Sequence, residues 1–389
     1  MNRRLVIILS VGTLILYAWA ACHWFLTRSR EPETFTFPSP TAATAHKEPF
    51  ISEEFITPDP GREMVHVGSI CELPDGRLAA AWYGGTREGA RNVSIFFAVK
   101  AHGTSASWSK PKQIVDRISA SRELYRYVKK VGNPVIFNRP GNGLWLVYVS
   151  IAAGGWSGSS LNVKRSDDAG TTWCNSQRLT LSPFFNISEL VRNRPLPMNS
   201  GGIALPIYHE CLGDFPEILW LQPGPKDRTI AFRKSRMTGG RSFIQPSIVA
   251  YGPSLGTAFY RCRSDKKAIG VAVTKDAGAS WSDPQTLTLP NPDSAVDAVV
   301  LSDRRILLAF NDSAKNRENL RLAISVDRGV HWTKIATIES TPGEEFSYPY
   351  MIRTQDGRIH LVYTWHRKRI KHVTFNEAWI GIQMKRMEN

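Results

Sequence analysis

The chain has 389 residues, 42% of them hydrophobic and 21% charged, with 12 Trp and 29 Gly. That is enough apolar material for a large buried core, and it excludes an intrinsically disordered chain. The formal charge of +15 invites anionic partners: nucleic acid, anionic lipid or an acidic sugar. Its densest basic clusters, Arg126 to Lys130 and Arg367 to Lys371, are short, and no zinc-finger or single-strand-binding spacing accompanies them, so a nucleic-acid partner is not expected.

Arg3 and Arg4 precede an apolar run from Leu5 to Leu26, closed by Arg28 and Arg30. A run of that length, at about 1.5 Å per residue, could cross a ~30 Å hydrocarbon layer as a helix. Residues 1–30 are expected to be a membrane anchor or, alternatively, a cleaved signal peptide with a small-residue site at Ala18-Trp19-Ala20. Both readings put the rest of the chain outside the cytoplasm, secreted if the segment is cut. Residues 31–60 are rich in Pro, Thr and Ala and read as a linker. Cys71, Cys174, Cys211 and Cys262 permit two disulfides in an oxidising compartment, but their spacings match no framework, and four buried free thiols are the alternative. Nothing has metal-site spacing, and neither metal nor cofactor is expected.

Three octets stand out: SDDAGTTW at 166–173, TKDAGASW at 274–281 and SVDRGVHW at 325–332. Asp276 follows Asp168 by 108 residues and Asp327 follows Asp276 by 51, which is two units and one unit of a period near 50. Such a period, with turn signals between short strands, predicts a β-propeller built of four-stranded blades. The stretch after Ala295 spells a whole blade: VDAVVL, the turn SDRR, ILLAFN, a loop, LRLAIS, the octet and KIATI. The template also fits 64–115, 133–181 and 245–289, fits 196–237 loosely and without an octet, and runs short of a fourth strand in 346–375. EEFITP (53–58) is expected to supply that strand. The prediction is an all-β, six-bladed propeller over 61–377, with 378–389 as a C-terminal tail.

Each octet residue has a structural task. The glycines supply positive φ, the aspartates accept backbone N–H groups, and the tryptophans wedge between blades. One aspartate per octet is too few for a calcium loop. In an up-and-down blade the strand 1–2 and strand 3–4 turns share one face, so the long strand 2–3 loops and the openings of the blades share the other, where function is expected. That second face collects His66, Asn133, Gln245, Asp297, Phe346 and Tyr348 from the blade openings. Its loops add Arg87, Glu88 and Arg91, then His209, Glu210 and Asp214, then Arg261, Arg263 and Asp265, then Asn311, Arg317 and Glu318, and finally Trp365, His366 and Arg367. Several arginines on one mouth suit a carboxylate, held by charge-assisted paired hydrogen bonds.

The octet resembles the Asp box of the sialidase superfamily. The segment from about 60 to 375 is similar to its bacterial branch of predicted neuraminidases, through HVGSICELPDGRLAAAWYGGTREGARNVSI, LPNPDSAVDAVVLSDRR and FSYPYMIRTQDGRIHLVYTWHRKRIKHVTF. The resemblance implies exo-hydrolysis of terminal sialic acids by an arginine clamp, a Tyr nucleophile assisted by a Glu, and an Asp acid/base; a Tyr nucleophile departs from the usual two-carboxylate scheme. Carried over, it implies Tyr348 as nucleophile and Arg261 or Arg263 and Arg317 as clamp residues. In place of the family's Asp and Glu, Glu88 is expected as acid, provided its loop buries it, and Glu345 as the group assisting Tyr348. Arg87, His66, Gln245 and Trp365 complete the expected substrate contacts. Three positions depart from the pattern: His66-Val67-Gly68 where an arginine is wanted, Gln245 where a Glu is wanted, and Glu88 and Asn92 in the loop of the Asp. The expectation is an exo-glycosidase on sialic acid or a related acidic sugar. The alternatives are a non-catalytic propeller that binds acidic carbohydrate and a scaffold in envelope polysaccharide assembly.

Overall fold

In a computed structural model of the protein, the short apolar segments pair into six separate antiparallel sheets. The structure describes residues 3–27, 33–36, 47–58, 63–101, 103, 106–139, 143–182, 186–211, 213–223, 230–237 and 241–388. Blade one comprises Met64–Glu72, Leu78–Gly85, Ser94–Lys100 and Lys112–Val115, and blade two Lys130–Arg139, Gly143–Ile151, Ser159–Ser166 and Gln177–Arg178. Blade four runs Phe243–Ala250, Gly256–Cys262, Ala268–Thr274 and Gln285–Pro290, and blade five Asp297–Val300, Ile306–Phe310, Asn319–Ser325 and Thr333–Ser340. Blade three differs: its opening strand is broken into Leu190–Val191 and Leu196–Pro197, both paired with Ile203–His209, before Phe215–Pro223 and Ile230–Arg236. It therefore begins six residues earlier than the sequence template placed it.

Blade six (Phe346–Arg353, Ile359–Trp365, Arg369–Phe375) takes its fourth strand from the other end of the propeller. That strand is Ile51–Phe55, two residues ahead of the expected segment, in register from Ile51 opposite Phe375 to Phe55 opposite Lys371. Pairing the two ends satisfies the backbone groups of what would otherwise be an open edge.

One apolar cluster fills each of the six junctions between neighbouring blades. Inner sheets are thus covered on both faces, which explains strands such as Leu78–Gly85 that are buried throughout and need no polar alternation. The octets form the strand 3–4 turns of blades two, four and five. Asp168 accepts the Thr172 N–H at 2.8 Å, the Ser166 hydroxyl donates to Asp168 at 2.8 Å, and the Gly170 N–H donates to Ser166 Oγ at 2.8 Å. Trp173 meets Phe97 of blade one edge-to-face at 5.5 Å, and Trp332 meets Phe259 of blade four likewise. The turn needs left-handed backbone at two successive residues: φ is +57° at Ala169 and +90° at Gly170.

Outside the propeller, α1 (Arg3–Thr27) is long and apolar enough to cross a membrane, and none of its Arg3–Ala20 window is buried. Residues 33–36, inside the expected linker, dock on the octet face. Phe35 is buried between blades three and four, its N–H bonded to Pro253 O at 2.7 Å, and Asn199 holds Thr34 by two hydrogen bonds. The expected tail is the helix α2 (Glu377–Glu388): Ile380 is buried against blades five and six, and Glu377 accepts from Ser302 and Arg353. All five cysteines are free, and only Cys71 and Cys262 are buried, so neither expected arrangement of the four holds entirely.

Candidate active site

In blades one, two, four and six the opening strand carries a bulge, seen as register shifts at His66/Ser69, Gly132/Val135, Ile244/Ser247 and Ser347/Tyr350. Each bulge contains one non-glycine residue at positive φ: Val67 at +52°, Asn133 at +45°, Gln245 at +54° and Tyr348 at +56°. Bulges re-aim side chains, and left-handed backbone at such residues costs on the order of 1–3 kcal/mol, which only firm surroundings sustain. The repeated strain marks the ring of blade openings on the loop face. It also separates the two aromatic candidates of blade six: Phe346 is fully buried in the junction with blade five, whereas Tyr348 is only partly buried and occupies the bulge.

Three guanidinium groups surround Tyr348. Arg261 Nη1 lies 3.5 Å from its hydroxyl. Arg317 and Arg192 stand over its ring at 5.7 Å and 5.4 Å from the centroid. Arg261 is fixed by Asp293, which accepts from Nε at 2.6 Å, and Arg317 donates to the Asp293 carbonyl at 2.9 Å. Burial disfavours the Arg261 charge, but Tyr348 and Asp293 outweigh it and hold the guanidinium protonated more firmly than usual. Arg263, the alternative in sequence, turns elsewhere, to Asp214 at 3.3 Å and Glu210 at 3.8 Å.

Arg192 was not singled out in sequence. It is fully buried, donates through Nη2 to Pro349 O at 2.8 Å, and leaves Nε and Nη1 without partners. Burial weakens its hold on its proton, opposed by Asp297, Tyr350 and Tyr348. The loose fit of blade three hid it, although halving the interval between Asn133 and Gln245 lands on 189, three residues away.

His66 is buried and meets the Tyr348 ring edge-on at 4.7 Å, its Nδ1 3.1 Å from Thr364 Oγ1 and its Nε2 unpartnered. Burial first, then Arg367, Arg317 and Arg192, push its pKa well below the usual imidazole value, so it is neutral at pH 7. Gln245 is also buried; its Nε2 donates to Tyr208 OH at 3.2 Å and its Oε1 is unpartnered.

The carboxylates divide. Glu345 accepts from Ser347 Oγ at 2.6 Å and lies 3.6 Å from Arg317 and 3.3 Å from Arg367. Arg367 also bridges to Glu88, whose side chain remains 35% exposed, so Glu88 lacks the burial that an acid role asks of it. Glu210 is better buried, and desolvation raises its pKa against the pull of Arg263. Arg87 is exposed on its loop. Trp365 stacks on His366 at 3.5 Å and meets Phe55 edge-on at 5.2 Å, and no contact joins it to Tyr348 among the described residues. Of the residues expected at the mouth, the structure gathers Tyr348, Arg261, Arg317, His66, Glu345 and Glu88 but turns Trp365 and Arg263 elsewhere, and sequence reasoning overlooked Arg192, Tyr208 and Asp293. No group of three potential metal ligands occurs among the described residues.

A cavity of about 860 Å³ opens on the opposite, octet face, lined by Ile70, Ile136, Val249, Leu301 and Tyr350. Among its arginines, Arg194 is engaged by the carbonyls of Met351 and Ala298, and Arg353 by Glu377. The convergent charges lie on the loop face.

The chain is thus an all-β, six-bladed propeller with an arginine-lined loop face. Residues 76–361 match the BNR repeat-like domain family, and the chain belongs to that family. Comparison with curated proteins finds no match. Among solved structures, the Hadza microbial sialidase Hz136 is similar at 14% identity, covering 83% of this chain and 68% of that one with a TM-score of 0.68. The intramolecular trans-sialidase of Ruminococcus gnavus in complex with oseltamivir carboxylate gives 13% identity, 84% and 97% coverage and a TM-score of 0.63. The Trypanosoma rangeli sialidase gives 12%, 87%, 61% and 0.65. At these identities the likeness is one of fold.

Proposed function

We propose that the protein is a sialidase-like exo-glycosidase acting outside the cytoplasm on a terminal sialic acid or a related sugar acid, with α1 as its membrane anchor or export signal. The observation that carries this is the convergence of Arg261, Arg317 and Arg192 on Tyr348. Arg261 and Arg317 would clamp the sugar carboxylate by charge-assisted hydrogen bonds. Tyr348 Oη would attack the anomeric carbon as its proton passes to Glu345, the carboxylate expected to assist it. The neutral phenol approaches an anionic sugar without charge repulsion, the guanidiniums favour the phenolate as that proton leaves, and water then displaces the sugar from Tyr348. Glu210 is the candidate donor of a proton to the leaving oxygen, since its raised pKa keeps that proton available nearer neutrality. The full-length protein in detergent should release product from a reporter α-sialoside, and Tyr348→Phe should abolish release. Undiminished release by that variant would remove Tyr348 from the mechanism.

Gln245 favours a second reading, a carbohydrate-binding propeller without turnover. It stands in the bulge equivalent to that of Tyr348, bonds to Tyr208, and has no carboxylate to take the phenol proton. Saturable, salt-sensitive binding of acidic glycans with no product would select this reading.

A further inference from the structure

We propose that Lys130 and Trp156 form a second acidic-sugar subsite beside the Tyr348 pocket, so that the preferred ligand is a polymer of sugar acids rather than one terminal acid on a neutral chain. This rests on the reading of the Tyr348 pocket as a sugar-acid site.

Trp156 opens a short turn, Trp156–Gly158, in the strand 2–3 loop of blade two, on the loop face. It is half-buried, and its ring packs against the backbone of Gly132: a Cβ there would lie 2.9 Å from Trp156 Cη2 and 3.9 Å from Tyr83 Cδ1. Tyr83 meets His66 at 5.8 Å, and His66 meets Tyr348 at 4.7 Å. Trp156 is therefore linked to Tyr348 through Gly132 and the buried rings of Tyr83 and His66, and lies at the end of that row away from the clamp.

Lys130 Nζ lies 5.1 Å over the Trp156 ring. It also lies 2.9 Å from where a Cβ on Gly89 would stand, and Gly89 has φ +73°, in the same loop as Arg87 and Glu88. Among the described residues no carboxylate comes within 4 Å of Lys130 or Arg87, and the nearby Glu88 is bridged to Arg367. Burial first and then Lys129 lower the Lys130 pKa; Glu88 opposes them, and Arg87 adds a smaller lowering. A partly desolvated cation with no carboxylate at ion-pair distance is costly unless an anion joins it. The flat indole offers a face to the C–H side of a sugar ring, and the ammonium above it suits a carboxylate on that ring. This assigns a role to Lys130, the last residue of the basic cluster Arg126 to Lys130, which the Tyr348 site does not use.

The test uses the full-length protein in detergent, carrying Tyr348→Phe so that nothing is consumed, and measures equilibrium binding of an α2,8-linked sialic acid dimer and of 3′-sialyllactose. The dimer should bind about tenfold more tightly, and Lys130→Gln should remove that advantage while leaving sialyllactose within about twofold. Trp156→Ala should act in the same direction, with thermal midpoints checking that both variants fold. Equal affinity for the two ligands in the parent, or equal weakening of both by Lys130→Gln, would overturn the subsite and leave the Tyr348 pocket standing. Failure to bind either ligand would overturn the sugar-acid reading together with the subsite.

Discussion

Arg261 and Tyr348 lie 87 residues apart in sequence, on blades four and six, yet Nη1 of one stands 3.5 Å from the hydroxyl of the other. Asp293 fixes the guanidinium from behind at 2.6 Å. Arg261→Met should therefore weaken the binding of a sugar acid by about 10- to 100-fold, as loss of a charge-assisted pair does, and should barely affect a neutral analogue. Ligand titration with an acid and its amide or methyl ester reads this directly; equal losses for both would contradict a carboxylate clamp.

Gln245 supplies a gain-of-function prediction. If the phenol proton limits turnover, Gln245→Glu should raise the rate on a reporter glycoside by about tenfold or more, at the low end of general-base effects. Initial rates across pH 5 to 9 measure it, and a flat response would mean that the base is another group.

Asp297 joins four blades. It accepts from Asn193 Nδ2 at 3.1 Å, Ser247 Oγ at 2.5 Å and the Met351 N–H at 2.6 Å, with Arg194 at 3.5 Å, and it is fully buried. Asp297→Ala strands these donors and should cost about 3–5 kcal/mol. The denaturant midpoint should fall accordingly, whether or not ligand binds.

The Asp-box turn has its own sensitivity. A Cβ at Gly170 would stand 2.2 Å from Phe97 Cζ, with φ at +90°. Gly170→Ala should destabilise by about 1–3 kcal/mol through strain and displacement of Phe97. The thermal midpoint should drop more than for Gly343→Ala, which also has positive φ but nothing within 4 Å.

Glu217 predicts a pH dependence. It is buried beside Glu189, and the two share Lys234, which stands nearer Glu189 (2.7 Å) than Glu217 (3.4 Å). Burial raises the Glu217 pKa from 4.5 to about 7. Between those values the folded protein holds a proton that the unfolded chain releases, so this stability is fully present below the lower value and lost as pH rises through the upper one. Glu217→Gln should flatten the stability profile across that window by on the order of 1–3 kcal/mol relative to wild type. Chemical denaturation at pH 5 and pH 8 compares the slopes.

The octets alone determined most of the architecture. A turn that needs left-handed backbone, an Asx acceptor and a wedge tryptophan has few sequence solutions, so Asp168, Asp276 and Asp327 set the period, the blades and the face that carries the long loops. Tyr348, Arg261 and Arg317 followed from their places on that face. Local chemistry of this kind is written in neighbouring residues. Other features depend on which strands become neighbours across the ring, and only the tertiary structure decided them. The choice of Arg261 over Arg263 rests on Asp293 and Tyr348 from other blades, and the burial of Phe346 rests on the junction with blade five. Arg192 joined the site because a broken strand in blade three puts it under Tyr348. The turning of Trp365 toward Phe55 depends on the strand borrowed from the start of the propeller. Side-chain direction at a bulge and pairing across a closed ring are set by long-range contacts, which no local pattern encodes.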